Sequence, residues 1–516
     1  MHLTIIVVVC FISLLVIYLS ILKSRYSYFQ RRGIPGPSPT FFLGHFGIIW
    51  STKSYSRQLQ SWTKQFGSIY GLFEGTRPFY VVSDVDFLQN IFIHQFSSFN
   101  SHRISFLYKL SKSVHLIGAD SARWHQQRHA INPAFSAAKL KLMNPLIDRC
   151  IESFIEKSSE INQESNEFDI YKLYQRLTMD VICHCAFGID TDMQNDVDNE
   201  MMAKAAIIFK QDVERMPLTK LSYLMPWLTP ILARFLLFQT VLFHALHRLA
   251  PTIFPDLTDK IPRFWLLARV QQVIDARNIG SGADTAKRVD LLQLMLDAKT
   301  KSQHEETTCE KGLTNDEIKA NIFLFMVAGF DTTSTMLANC TYVLATKPEI
   351  QEKLYEEIHS LDKDKFDYDT ITKIEYMELF LREVLRMYPA STSVLTRVCN
   401  ETTTVCGHLI EKGSVIQTDL FTIHYNPDLW GPDDPHEFVP ERHLTKRHPM
   451  ALLTFGAGPR ICIGMRFATM EIKMTLARLV HDYKILPGKH LEESFQLRDG
   501  FVIQPDAVYI KLQKRN

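Results

Sequence analysis

With 516 residues, 46% of them hydrophobic, the chain can form one very large domain or two to three ordinary ones, with a sizeable core. Lysine and arginine (57) nearly cancel aspartate and glutamate (56), leaving a net charge of +1. That excludes a globally basic nucleic-acid binder, so any charged partner must meet a local patch. The nine cysteines are scattered and odd in number, which suits a reducing compartment with one special thiol among bland ones.

Leu3 to Leu22 carries no charge. At about 1.5 Å per residue it spans roughly 30 Å, one bilayer core. A cleaved signal peptide is the rival, but the run is too long for a signal h-region. No basic segment precedes it and no small-x-small site follows. Residues 1–22 are therefore expected to be a retained transmembrane anchor. Lys23, Arg25, Arg31 and Arg32 follow at once, which places the rest of the chain in the cytosol. Residues 23–40 form a basic, proline-rich segment, and Gly33-Ile34-Pro35-Gly36-Pro37-Ser38-Pro39 predicts a stiff hinge holding the anchor apart from a single domain over 41–516.

From about residue 40 to 115 short β-rich runs mix with helical pieces. From 120 to 380 the pattern is helical, and from 390 to 445 it turns to strands and turns. Trp124 and Arg128, four apart, share a helix face, on which Arg128 can simply snorkel. Cys183-His184-Cys185 lies in an apolar helical run and reads as core. Leu221 to Phe254 is apolar, but Arg234, Gln239 and terminal prolines argue against a second span. Two readings stay open there: a buried core element, or a surface that dips into the membrane. Gly280–Asp284 and Lys301–Gly312 read as exposed connections.

Thr314-Asn315-Asp316-Glu317 is a capping box. The helix it starts is predicted to run to about Thr346, where Lys347-Pro348 ends it. Ile322 to Ala328 is entirely apolar, which predicts burial all round. Within that buried span lie Gly329, Asp331 and Thr332. A mid-helix glycine costs about 1 kcal/mol, and an unpaired buried carboxyl costs more. Two local rules broken together point to function. An acid beside a hydroxyl, at an expected helix distortion, suits proton delivery to something bound on that face.

Glu383 and Arg386 are three apart on an apolar helix and can pair. Arg442 follows later in Pro440-Glu441-Arg442. Then comes Phe455-Gly456-Ala457-Gly458-Pro459-Arg460-Ile461-Cys462-Ile463-Gly464, a tightly shaped loop just ahead of a helical pattern. The helix N-terminus and Arg460 are expected to favour a Cys462 thiolate. Such a thiolate can be a nucleophile, a redox thiol or a metal ligand. No protease-type histidine context surrounds it, and no clustered cysteines suggest zinc. A single thiolate ligand to haem iron remains.

These pieces, in this order, resemble the membrane-anchored cytochrome P-450 haem-thiolate monooxygenases over essentially the whole chain. Phe455, Gly458, Arg460, Cys462 and Gly464 fill the fixed positions of the haem loop F-x-x-G-x-R-x-C-x-G. Ala328 to Thr333 matches the oxygen-activation motif, Glu383 to Arg386 matches E-x-x-R, and Arg442 fits the later arginine. Trp124 and Arg128 match W-x-x-x-R, and Ile34 to Pro37 the proline-rich segment. The segments around Cys462 and Ala328 look most like the microsomal animal branch that handles steroids and foreign compounds.

The resemblance implies the triangular, mainly α fold with small β-sheets, and an N-terminal transmembrane helix. It implies haem b with Cys462 as axial ligand, Phe455 beside it, and Arg460, Trp124 and Arg128 on the propionates. Asp331 and Thr332 would manage protons, while Glu383, Arg386 and Arg442 would brace the fold. One oxygen atom of O2 would enter an apolar small molecule: a steroid, a fatty acid or a xenobiotic. Electrons would come from NADPH through a flavoprotein reductase, with cytochrome b5 a further partner. A basic face of Arg123, Arg128, Lys446, Arg447 and Lys473 is expected to dock the reductase. The implied location is the endoplasmic reticulum membrane, with the catalytic domain cytosolic. No nucleic-acid partner is expected. A haem-thiolate isomerase or dehydratase, or a haem-binding sensor, are the alternatives. The chain departs from the family at Ser391–Leu395, where relatives often carry a propionate-binding histidine or arginine; Arg397 reads as too late in sequence to replace it.

Overall fold

The computed structural model describes residues 2–109, 114–210, 213, 216–254, 256, 261–279, 290–304, 312–361 and 366–515. The Gly280–Asp284 connection and most of Lys301–Gly312 lie outside them. The helices used below are α1 (His2–Tyr26), α2 (Tyr55–Phe66), α3 (Ser121–Ile131), α4 (Ala137–Glu164), α5 (Ile170–Ile182), α6 (Thr229–Leu249), α7 (Asn315–Thr346), α8 (Glu375–Met387) and α9 (Met465–Asp482).

The strands are β1 (Ile69–Glu74), β2 (Arg77–Val82), β3 (Phe168–Asp169), β4 (Thr396–Val398), β5 (Thr403–Val405), β6 (His408–Ile410), β7 (Val415–Thr418), β8 (Tyr483–Pro487), β9 (Leu497–Asp499), β10 (Ile503–Pro505) and β11 (Tyr509–Lys514). Among the described residues they make four small sheets, ordered β1-β2-β7-β4, β3-β11-β8, β5-β6 and β9-β10. In the largest, β2 and β7 run parallel, with Phe79 opposite Val415, and the other pairs are antiparallel. The mainly α class with small sheets is what the sequence predicts.

Among the described residues, two hydrophobic cores are the largest of four clusters. The larger is helical and takes side chains from α4, α5, α7, α8 and α9, including Ile147, Leu177, Ile322, Leu344, Phe380 and Leu476. Each such side chain contributes about 1.5–3 kcal/mol relative to exposure. The smaller core lies on the four-stranded sheet and includes Tyr80, Val82, Phe92, Ile416 and Leu453.

α7 threads the large core and follows its sequence closely. Thr314 accepts from Glu317 N and Glu317 returns the bond to Thr314 N, so the capping box is formed. The helix ends at Thr346, ahead of Lys347-Pro348, after 32 residues without a break. Burial is not all round, however. Leu324, Ala328 and Thr332, at i, i+4 and i+8, keep accessible surface and form one stripe. α7 stays α-helical through Gly329. The glycine permits close packing on α5, since a Cβ there would lie 3.1 Å from Ile182 Cδ1.

Tyr28 to Ile34, within the segment expected to hold the anchor apart as a stiff hinge, pack on the domain instead. α1 continues to Tyr26, and Leu22, Tyr28, Phe29 and Ile34 are buried, the last three in the smaller core. Tyr28 Oη meets Tyr80 Oη at 3.0 Å, and Arg32 pairs with Glu411 while stacking over Tyr28. The prolines follow this docked segment rather than precede it, and aromatic burial outweighs their local stiffness.

Of the two readings of Leu221–Phe254, the buried core is excluded. α6 has no buried residue, and Trp227, Phe238 and Leu249 are 67%, 63% and 82% exposed. Pro226–Leu249 is long and apolar enough to cross a bilayer. α7 passes the same test, but most of it is inside the protein, as a core helix should be.

Candidate active site

The loop before α9 is closed by Cys462 N donating to Phe455 O at 2.9 Å. Gly458 has φ +68°, and a Cβ there would lie 2.1 Å from Phe92 O, so only glycine lets the turn seat against the helical turn Asn90–His94. Cys462 then sits two residues before Gly464, the N-cap of α9. Its surface is accessible although protein surrounds it, so the sulfur opens onto an internal space. Burial pushes the thiol up; the amides of Gly464 and Met465 and the charge of Arg128 pull it back. The expected cation, Arg460, is not the one that acts on it. Arg460 turns away to donate to Leu116 O (3.0 Å) and Ala119 O (2.9 Å), while Arg128 donates to Ile461 O at 3.0 Å.

One wall of that space gathers arginines. Arg460 stacks over the Trp124 ring at 4.4 Å. Arg397, set aside in the sequence as too distant, is 1% exposed and close enough for the two charges to repel. Burial pushes both guanidiniums down to about 9, assisted by Arg460 for Arg397 and by Arg128 for Arg460. His102 lies beside Arg397 at 3.2 Å, and burial with the two arginine charges keeps it neutral. Arg397 Nε and Arg460 Nε have no partner, and neither side chain has an ion pair among the described residues. The Trp124 cluster also takes in Leu324 of the α7 stripe and Ile463 of the cysteine loop, so the two faces approach each other.

This donor set fits haem. Two buried like charges, with only Asp120 acting on Arg460 from a distance and no ion pair on either, suit a dianion such as a pair of propionates. The soft, accessible Cys462 sulfur would supply a ligand to the haem iron, and a Cβ added at Gly464 would meet open space beside it. His102 carried no signal in the sequence, and Arg397 was set aside, because only the chain fold brings them here. β4 pairs with β7, and Ser101 bridges Val398, which sets Arg397 next to the loop bearing His102.

On α7, Thr332 Oγ1 donates to Ala328 O at 2.6 Å within the stripe. Asp331 lies 100° further round. It is 4% exposed and meets Tyr171 of α5 and Gln504 of β10 instead. Burial pushes its carboxyl up to about 6, with Tyr171's hydrogen bond pulling the other way.

Glu383, Arg386 and Arg442 come together with no side-chain exposure. Glu383 accepts from Arg386 at 2.8 Å twice, from Arg442 Nε at 2.9 Å and from Val439 N at 3.0 Å. His443, which carried no motif, adds a fourth partner at 2.8 Å. Burial would raise the Glu383 carboxyl, but these donors and the Arg386 charge hold it at about 2. The hub reaches the cysteine loop. Arg386 O meets His424 Nδ1, His424 Nε2 accepts from Leu453 N, and Thr454 Oγ1 donates to Leu385 O.

The expected docking face does not form. Arg123 pairs with Glu317, Lys473 is buried on Glu378, and Arg447 donates to Leu429 and Gly431 carbonyls. Lys446 alone of the five is fully exposed. A groove of about 370 Å³ beside the cysteine loop is lined instead by Arg382, Phe455, Gly456, Met465 and Arg466.

The cytochrome P450 family model matches residues 34–512. The chain is 31% identical to a putative cytochrome P450, CYP13A5, of Caenorhabditis elegans over 98% of both proteins. It is 30% identical to cytochrome P450 3A31 of Mesocricetus auratus, over 97% of this chain and 94% of that one. It is also 30% identical to cytochrome P450 3A29 of Sus scrofa, over 98% and 95%. The chain belongs to the cytochrome P450 family, and with it to the oxidoreductases that act as monooxygenases. Family membership also carries haem with a cysteine thiolate ligand.

Proposed function

We propose that this enzyme inserts one oxygen atom of O2 into an apolar small molecule, a steroid, fatty acid or xenobiotic, using NADPH-derived electrons from a separate reductase. The observation that supports it is the packing of Leu324 of the α7 stripe and Ile463 of the cysteine loop against Trp124, the ring over which buried Arg460 stacks. Haem b, when bound, supplies the oxygen chemistry, with thiolate donation favouring O–O cleavage. Cys462 would ligate its iron, and Arg397, Arg460, Arg128 and Trp124 would hold its propionates. Leu324 and Ala328 of the α7 stripe would present an apolar surface to substrate and exclude water. The Thr332 hydroxyl orients a proton there, and Asp331 supplies it. Glu383, Arg386 and Arg442 fix the loop that aims the sulfur.

Arg382 and Arg466, which have no carboxylate partner among the described residues, make the groove beside the cysteine loop a fitting place for an acidic reductase surface or cytochrome b5. α1 and the exposed α6 would both meet lipid, consistent with an endoplasmic reticulum membrane and a cytosolic catalytic domain. The test is reconstitution with NADPH-dependent reductase in lipid. Product carrying one atom from labelled O2 supports the reading. Conversion of a peroxide without reductase, and no O2-derived label, would replace it with an isomerase or dehydratase.

A further inference from the structure

The proposed function needs Asp331 to regain a proton after each turnover, yet its carboxyl is buried. Polar groups from three segments surround it. Tyr171 Oη of α5 lies 3.4 Å from Oδ1 and 3.1 Å from Thr335 Oγ1, one turn along α7. The Gln504 amide of β10 is oriented by its neighbours. With its nitrogen toward the carboxyl it donates at 2.9 Å to Oδ1 and 3.2 Å to Oδ2, and it reaches Tyr171 Oη at 3.0 Å. No titratable side chain other than Tyr171 acts on Asp331 among the described residues.

Of the side chains that touch the Asp331 carboxyl directly, Gln504 is the one that keeps accessible surface; Gln175, also part-exposed, reaches Tyr171 only. Gln504 is half-buried, on a two-stranded hairpin whose tip residue Phe501 is 51% exposed. The hairpin is pinned at three places remote in sequence. Asp499 accepts from Ser54 and from Ser56 N at the start of α2, Ile503 N donates to Ala390 O at 2.7 Å, and Ser391 Oγ donates to Phe501 O at 2.8 Å. A hairpin braced in this way holds Gln504 against Asp331 rather than sampling solvent.

We propose that Gln504 and Tyr171 are positioning residues of the reaction, holding the Asp331 carboxyl and connecting it to solvent along the β9–β10 hairpin. When Asp331 gives its proton toward Thr332, the carboxylate takes one from the Tyr171 hydroxyl. That hydroxyl takes one from a water at the Gln504 edge, which regains a proton from bulk solvent in the same event. One proton enters and no side chain changes charge over the cycle. Burial and the Asp331 charge push the Tyr171 hydroxyl up, so a lasting tyrosinate has no place in the route. The inference rests on the monooxygenase reading and adds the solvent side of its proton path.

The experiment compares Tyr171→Phe and Gln504→Leu with the unsubstituted holoenzyme. The Asp331 C=O stretch, identified by its loss in Asp331→Asn, is titrated by infrared difference spectroscopy. Its midpoint should rise by about one pH unit in each variant, the worth of one hydrogen bond to a carboxylate. Product formed per NADPH consumed should fall about fivefold, equivalent to one ordinary hydrogen bond, with a larger solvent isotope effect. The ferrous–CO spectrum should not change. An unmoved midpoint together with unchanged coupling in both variants would overturn the inference. If the enzyme instead lacked a thiolate CO spectrum altogether, the functional reading would fall, while the infrared titration would still report who holds Asp331.

Discussion

Replacing Glu383 with glutamine tests the buried hub that supports the cysteine loop. The carboxylate faces two guanidiniums and an imidazole, all without side-chain exposure. Removing its charge leaves Arg386 and Arg442 buried with no counterion, and such a broken pair costs about 3–5 kcal/mol. An independent route gives a similar figure. The carboxyl is held at about 2 against 4.5 in an open chain. That difference is worth about 3 kcal/mol. Because the folded value is the lower one, this stability is present above pH 4.5 and is lost as pH falls toward 2. Against a typical total of about 5–15 kcal/mol, Glu383→Gln removes a large share. Urea unfolding followed by haem release should show a lower midpoint in the variant and a weaker acid dependence between pH 5 and 3. A variant with the midpoint and acid slope of the unsubstituted enzyme would refute the reasoning.

Arg397→Leu should act with opposite sign on the two forms of the protein. Without haem it relieves repulsion with Arg460 and raises the urea midpoint. With haem it speeds transfer to a haem acceptor, by roughly tenfold or more for one lost charge-assisted hydrogen bond. For Asp331 the folded carboxyl lies near 6, above its open-chain value of 3.8. The folded state therefore holds the proton more tightly, and stability falls as pH rises from 3.8 through 6, by up to about 3 kcal/mol. Asp331→Asn should remove that slope and be the more stable protein at pH 7.5, as urea midpoints across pH will show. For the membrane face, truncation before residue 20 should leave vesicle binding measurable in flotation. Phe235→Asp with Phe238→Asp should then reduce it by roughly tenfold per residue, since each buried phenylalanine contributes about 1.5 kcal/mol or more.

What the sequence made legible was local. The capping box at Thr314 and the Lys347-Pro348 stop delimit α7, because both signals act within a few residues of the helix end. The spacing around Cys462 gives the loop, and the triplet spacing of Glu383 and Arg386 gives the pair. The rest depends on contacts across the fold. His443 joins Glu383 from 60 residues away, and Gln504 reaches Tyr171 from 333 away. No periodicity encodes such meetings. The assumption that Arg397 comes too late failed because strand pairing, not sequence distance, decides what faces the site. Charge counting likewise misjudged the docking face, since Arg123 and Lys473 are spent on internal ion pairs. The proline-rich segment was taken for a hinge because its aromatic neighbours, Tyr28 and Phe29, gave no sign from spacing alone that they dock on the sheet.

The central claim is that Cys462 holds haem iron through its thiolate. The direct measurement is the ferrous–CO absorption spectrum of the purified enzyme and of Cys462→Ala at matched haem content. The account predicts the red-shifted Soret band of thiolate ligation in the first and its loss in the second. A Cys462→Ala protein that kept the red-shifted band would contradict it.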